Sequence, residues 1–268
     1  MSQIKILFLG DIMGKIGRNA LKKALPELKE KYKPDLVIAN AENLAHGKGI
    51  TEKTLKEMMD AGVDFFTSGN HVWSNAEAEQ IFQKDKLPII RPANYPPGLP
   101  GDGYKIVEIG TKKILIANLM GRHLIIKENF DCPFRALETI LDQYKNTKLD
   151  AILVDFHAEA SSEKTCFPRY FDGRTSAIWG THTHVQTADE QILPQGTAMI
   201  SDVGMVGLKH SSLGIELADA YRKFIYQIPV EHNIPEHGIC QINGIFVIIK
   251  PENGNAKSIE RINFEVEV

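Results

Sequence analysis

Cysteine is scarce in this 268-residue chain, no long apolar run occurs, and neither sign of charge is in real surplus. The three cysteines, Cys132, Cys166 and Cys240, are far apart and odd in number, which argues against a disulfide framework and against a cysteine-built zinc site. No apolar stretch approaches the ~20 residues a membrane-spanning helix needs. The stretch Ile6 to Leu9, behind Met1-Ser2-Gln3-Ile4-Lys5, is too short for the apolar part of a signal peptide. A formal net charge of -3 lacks the basic surplus that neutralising duplex phosphates requires. Repeats, low-complexity tracts and linker-like segments are also missing, and the 13 prolines and 21 glycines are scattered. The expectation is a soluble, cytoplasmic chain, a single domain over residues 1–268, with neither a membrane nor duplex nucleic acid as partner.

What is present is an alternation of two periods. Ile4 to Leu9 reads as a buried strand ending at Gly10-Asp11, and residues 18–32 carry Ala20, Leu21, Ala24, Leu25 and Leu28 at helical spacing. Leu36 to Ala39 predicts a second strand, Thr51 to Ala61 a helix capped by Thr51 and stopped by Gly62, and Phe65-Phe66 a third strand. That β-α-β-α-β order predicts a parallel sheet. Pro88, Pro92, Pro96, Pro97 and Pro100 then enforce an irregular loop. A hairpin over Tyr104–Ile109 and Lys113–Leu119 follows, then a helix over Pro133–Tyr144. Strands are expected at Ala151–Phe156, Ala177–Gly180, Gly244–Ile249 and Ser258–Val266. Two facing sheets with outer helices fit this pattern.

The informative feature is where these strands end. Five of them run into a residue able to ligate a metal: Asp11, Glu42-Asn43, Asn70-His71, His157, and His182 with His184. Sites in α/β sheets collect at the carboxyl ends of strands. Each residue alone has an ordinary explanation: Asp as a turn former, Gly69-Asn70 as turn chemistry, a lone His as a core residue. Their joint occurrence does not. With no thiolate among them, this oxygen and nitrogen set suits iron, manganese or zinc and does not choose among the three.

The order Gly10-Asp11, Glu42-Asn43, Gly69-Asn70-His71, His157 and Gly180-Thr181-His182-Thr183-His184 resembles the calcineurin-like metallophosphoesterase superfamily. Longer strings, among them Ser68-Gly69-Asn70-His71-Val72-Trp73 and Ser201-Asp202-Val203-Gly204-Met205, place the resemblance in its YmdB-like bacterial branch. Met13 stands where the wider superfamily has a histidine, and Glu42 where it has an aspartate; both changes are expected in that branch. The resemblance implies an α/β fold of two mixed sheets flanked by helices, a four-layer αββα sandwich. It implies two transition metal ions, one held by Asp11, Asn43 and His184, the other by Asn70, His157 and His182, with Glu42 bridging. It further implies hydrolysis of a small phosphodiester, with 2',3'-cyclic nucleotides as the substrate class, by hydroxide attacking phosphorus in line while His71 protonates the leaving oxygen. A homo-oligomer is a further expectation of that branch.

His46, Arg122, Asp172 and Arg174 are candidate substrate contacts, each with a plain loop or surface turn as its alternative. Three rival functions stand beside this reading. One is a dinucleotide site at Gly10, Gly14 and Gly17, whose spacing departs from G-x-G-x-x-G and which leaves the histidines without a role. The others are a regulator that keeps the metals without catalysis, and a phosphomonoesterase.

Overall fold

The computed structural model describes residues 3–84, 86–125, 129–231 and 233–268; Met1 and Ser2 lie outside them. The chain opens as the spacing predicts, with β1 (Ile4–Ile12), α1 (Gly14–Tyr32), β2 (Leu36–Asn40), α2 (Glu52–Ala61) and β3 (Phe65–Thr67). β2 lies parallel to both β1 and β3. A 3-10 turn at Asn70–Ser74 and α3 (Glu77–Lys84) lead through the proline-rich loop to the antiparallel pair β4 (Tyr104–Ile109) and β5 (Lys112–Met120). The Arg91 guanidinium ties that loop together, donating to the carbonyls of Pro100, Pro92 and Leu99. Then come α4 (Pro133–Tyr144), β6 (Ala151–His157), α5 (Ser161–Tyr170), β7 (Ala177–Thr181), β8 (Gln191–Ile192) and β9 (Ala198–Ile200). The chain closes with β10 (Met205–Leu208), α6 (Leu217–Tyr226), β11 (Ile239–Ile249) and β12 (Ala256–Glu267).

Two six-stranded mixed sheets result, ordered β12-β11-β10-β1-β2-β3 and β4-β5-β6-β7-β9-β8. Because successive strand side chains point to opposite faces, each strand feeds two apolar layers. Leu7 and Leu9 of β1 pack against α1, while Ile4, Ile6 and Phe8 face the second sheet. Ile114 and Ile116 of β5 meet them there, and Leu115, Ala117 and Leu119 turn outward onto α4 and α5. The three apolar layers separate four layers of structure, the expected αββα sandwich. Phe8 and Trp179 touch between the sheets, with ring centroids 4.5 Å apart; each buried side chain of that size contributes about 1.5–3 kcal/mol.

Helix α1 begins at Gly14, earlier than its apolar periodicity suggests. The Met13 amide donates to Val206 O at 2.9 Å, so the chain is already pinned to β10 before the first apolar turn. A Cβ on Gly17 would lie 2.4 Å from Val206 O, and one on Gly10 would lie 1.9 Å from Gly204 O. Gly10 and Gly17 therefore serve close packing, and Gly14 takes the positive φ of 61 that turns the chain into α1, which accounts for the triplet that a dinucleotide reading would have used. Thr51 caps α2 through a reciprocal box with Thr54, as the sequence predicts.

Candidate metal centre

The parallel strands of both sheets deliver polar residues to one end of the sandwich. Asp11 lies near the end of β1; Glu42 and Asn43 follow β2; Asn70 and His71 follow β3; His157 ends β6; His182 and His184 follow β7. Two sets of ligand atoms converge there, each within 4.8 Å: Glu42 with His157 and His182, and Asp11 with Glu42 and His184. Glu42 belongs to both.

The oxygen donors come from the first sheet. Glu42 Oε2 accepts the His71 backbone N–H at 3.0 Å, and the Glu42 N–H donates to Asn40 Oδ1 at 3.0 Å. Asn43 Nδ2 donates to Gly47 O at 2.8 Å, which turns its Oδ1 away. Asp11 Oδ1, Asn43 Oδ1 and Asn70 Oδ1 are all buried without a hydrogen-bond partner. Orphaned oxygens of that kind cost free energy unless something electropositive meets them.

The nitrogen donors come from the second sheet, and hydrogen bonding assigns which ring atom of each is free. His157 Nδ1 contacts Thr181 Oγ1 at 2.8 Å, and its Nε2 lies 3.2 Å from Glu42 Oε2. His182 Nε2 lies 3.0 Å from Glu159 Oε2, leaving Nδ1 3.1 Å from His157 Nε2. His184 Nδ1 donates to Leu213 O at 3.1 Å. Anchoring one imidazole nitrogen while presenting the other is how metal-binding histidines are oriented. Convergent lone pairs, one carboxylate shared between two ligand sets and three orphaned oxygens together fit a cation site.

The electrostatics of the side chains point the same way. Burial works against a charge on His157, yet the carboxylates of Glu42, Asp11 and Asp155 push it up to about 9. Burial and the neighbouring His157 push His182 down to about 3. Burial raises Asp11, against the pull of His184 and His157. Burial alone would raise Glu42 as well, but His157 and His71 hold it well below the usual carboxylate range.

A model of the YmdB-like protein family matches residues 7–262. The chain belongs to the YmdB-like family. It is 44% identical over 261 residues to a Bacillus subtilis (strain 168) protein named 2',3'-cyclic-nucleotide 2'-phosphodiesterase, covering 97% of this chain and 96% of that one. The crystal structure of a novel phosphatase from Mycoplasma pneumoniae superposes with a TM-score of 0.92 at 37% identity, over 100% of this chain and 95% of that one. A putative 5'-nucleotidase from Staphylococcus aureus shares the fold alone, with a TM-score of 0.63 at 16% identity over 97% of this chain and 54% of that one.

Within this YmdB-like chain, the weaker site candidates scatter. His46 is exposed and lines a cleft of about 690 Å³ with Lys15, Arg18 and Glu57, a lining that includes none of the candidate ligands. Arg122 opens onto a separate cleft beside Asn94 and Arg135, its backbone N–H held by Glu163. Asp172 accepts the backbone N–H groups of Gln195 and Thr197, and Arg174 pairs with Glu138 at 3.7 Å. Both lie where α5 returns to the start of β7, at the opposite end of the sheet, so the structure does not bring them to the metal centre. Met13 is buried against Gly207 and Gly214 and serves packing.

The sequence reading missed a layer beneath the ligands. Asn40, Thr67, Asn118, Asp155 and Thr181 are fully buried. Asn40, Thr67 and Thr181 end their strands, and Asn118 and Asp155 stand two residues before the ends of β5 and β6, where the inward-facing alternation turns from apolar to polar. Asp155 Oδ2 accepts from Asn40 Nδ2 at 3.1 Å and from the Thr67 hydroxyl, and its Oδ1 accepts from Thr181 Oγ1 at 2.6 Å. Burial pushes Asp155 up to about 6, with His157, Thr181 and Thr67 resisting. Lys164 of α5 is also buried, paired with Asp202 and donating to Thr181 O at 2.7 Å. Asp202 accepts the Thr183 N–H at 3.1 Å. That pair brackets His182, whose backbone sits at φ 100, as His184 sits at φ 64; positive φ in non-glycine residues persists only where the surroundings enforce it.

Proposed function

We propose that this YmdB-like protein is a metal-dependent phosphoric ester hydrolase that opens a small phosphodiester, with 2',3'-cyclic nucleotides as its substrate class. The observation that carries the reading is Glu42 shared between two convergent ligand sets, ringed by oxygens that nothing else satisfies. Asp11, Asn43 and His184 would hold one transition metal ion, Asn70, His157 and His182 the other, and Glu42 both; iron, manganese and zinc all suit these donors. Such ions supply Lewis acidity and positive charge toward the phosphoryl oxygens, which makes the overall charge of -3 immaterial to an anionic substrate. The 2',3'-cyclic preference is supported by the name of the Bacillus subtilis relative and by chemistry, since a cyclic diester keeps its leaving oxygen tethered at the site.

His71 would protonate that leaving oxygen. Its side chain is 31% exposed, at the rim, and Asn43 Nδ2 lies 3.2 Å from its Nδ1. Nδ1 also lies 3.4 Å from Glu42 Oε1, so Nε2 is the ring nitrogen left for a departing alkoxide. The backbone N–H of His71 meanwhile braces Glu42, so one residue serves the ligand cage through its main chain and the substrate through its ring.

The test is a panel of 2',3'-cyclic, 3',5'-cyclic and monoester nucleotides on protein reconstituted with each metal in turn. Selective turnover of the 2',3'-cyclic members is expected. Equal or better turnover of monoesters would replace the reading with phosphomonoesterase. Stoichiometric metal with no turnover of any ester would leave a regulator.

A further inference from the structure

The buried layer under the centre has a direction built into it. A carboxylate has no proton to give, so Asp155 can only accept from its three neighbours. Asn40 presents an amide N–H to Oδ2, and the orientation of that amide is set independently: its Oδ1 accepts the Glu42 N–H, and its Nδ2 also donates to Ser68 O at 3.1 Å. The Thr67 hydroxyl donates to the same Oδ2. Thr181 has one hydroxyl proton and spends it on Asp155 Oδ1. Toward His157 Nδ1, 2.8 Å away, that hydroxyl has only lone pairs left, so Nδ1 keeps a hydrogen and Nε2 is the nitrogen that gives up its proton when a cation binds.

Resting on the metal reading above, we infer that Asp155 and Thr181 are positioning residues that dictate the tautomer of His157 and thereby present Nε2 to the centre. The hydroxyl is a one-proton relay whose polarity the carboxylate sets from below. Reversing the polarity requires no change of shape. In Asp155→Asn, the Asn40 and Thr67 donors keep the amide oxygen at the Oδ2 position, so the new NH2 group faces Thr181. The threonine hydroxyl then accepts from below and gives its own proton to His157 Nδ1. The ring hydrogen moves to Nε2, where it blocks ligation.

The experiment uses the full chain, labelled with 15N-histidine and titrated with Zn2+, a diamagnetic probe, against a competing chromophoric chelator. In the native protein, His157 is expected to show Nδ1–H and a metal-shifted Nε2. Thr181→Val, which keeps the shape but removes the acceptor, should weaken Zn2+ binding about 10–100-fold, and Thr181→Ser should restore it. Asp155→Asn should weaken binding further than Thr181→Val and show His157 with its hydrogen on Nε2. Native-like affinity in both Thr181→Val and Asp155→Asn, or ligation of native His157 through Nδ1, would overturn the relay while leaving the metal reading intact. Native protein that takes up no Zn2+ would overturn the metal reading and the relay with it. Should Asp155→Asn fail to fold, the contrast of Val with Ser at position 181 decides the matter.

Discussion

The two sheets hold their shares of the site in different ways. The first sheet contributes Asp11, Glu42, Asn43, Asn70 and His71, and steadies them largely with main-chain groups: the His71 and Glu42 amides, and the carbonyl of Gly47. The second contributes His157, His182 and His184, and steadies the first two with carboxylates, Asp155 through Thr181, Glu159 directly, and Asp202 through the loop that carries His182. Carboxylate and amide oxygens need only face a cation, and turns beyond a strand end can aim them. An imidazole must also put its hydrogen on the right nitrogen. That demands a partner of fixed polarity, which peptide carbonyls or ionised carboxylates supply.

The contrast can be broken at several points. The largest expected effect is on turnover: His71→Ala should lower it about 10²–10⁴-fold with both metals retained. Loss of metal in parallel would make His71 part of the cage and blur the division between rim and floor. Next is Lys164→Met, which leaves the buried Asp202 carboxylate without its cation. Unfolding in urea should show a loss of about 3–5 kcal/mol, against about 1–2 kcal/mol for Asn43→Ala, where only the uncharged amide's contacts with Gly47 O and His71 Nδ1 go. Equal losses would erase the distinction between the two modes of support.

A pH series tests the imidazole side by itself. His157 is raised from 6.5 to about 9, so its stabilising contribution is complete below pH 6.5 and fades as pH climbs toward 9. Asp155 at about 6 and His182 at about 3 have finished titrating by then. Chelator-treated protein should therefore lose thermal stability between pH 6.5 and 9. Metal-loaded protein, whose ligating imidazole is already neutral, should not. A flat profile after chelation would contradict the charge assigned to His157. The smallest effect is a control outside both halves: Thr51→Ala removes the capping box of α2 and should cost about 1 kcal/mol without touching metal content.

The same asymmetry governed what could be read from the residues in order. Strand ends were legible because an apolar run stopped abruptly at Asp11, Glu42, His157 or His182, and the helices α2 and α4 announced themselves by periodicity and caps. Helix α5 did not, since its inward positions include Lys164 and Pro168 beside Phe167; a buried lysine erases the stripe that marks a helix face. Helix α6 was obscure for the opposite reason, having Ala220 as its one buried residue and Phe224, Ile225 and Tyr226 exposed. Asp155 was visible as a letter and invisible as a role. Its meaning depends on Asn40, Thr67 and Thr181, from three other strands, all pointing into the same gap. That Asp172 and Arg174 lie away from the metal centre was not legible, because sequence gives no sign of which end of a sheet a turn occupies until the helix before it is placed.

Gly69 lies against both halves of the centre. A Cβ there would sit 2.3 Å from both Glu42 Oε2 and His157 Nε2. The glycine thus acts as a feeler gauge, setting the clearance between the oxygen side and the nitrogen side by the thickness of a bare backbone. One added methyl would push the shared carboxylate and the relay-held imidazole apart in a single stroke. The width of the centre is therefore written in the main chain of β3's exit, where no choice of ligand can tune it.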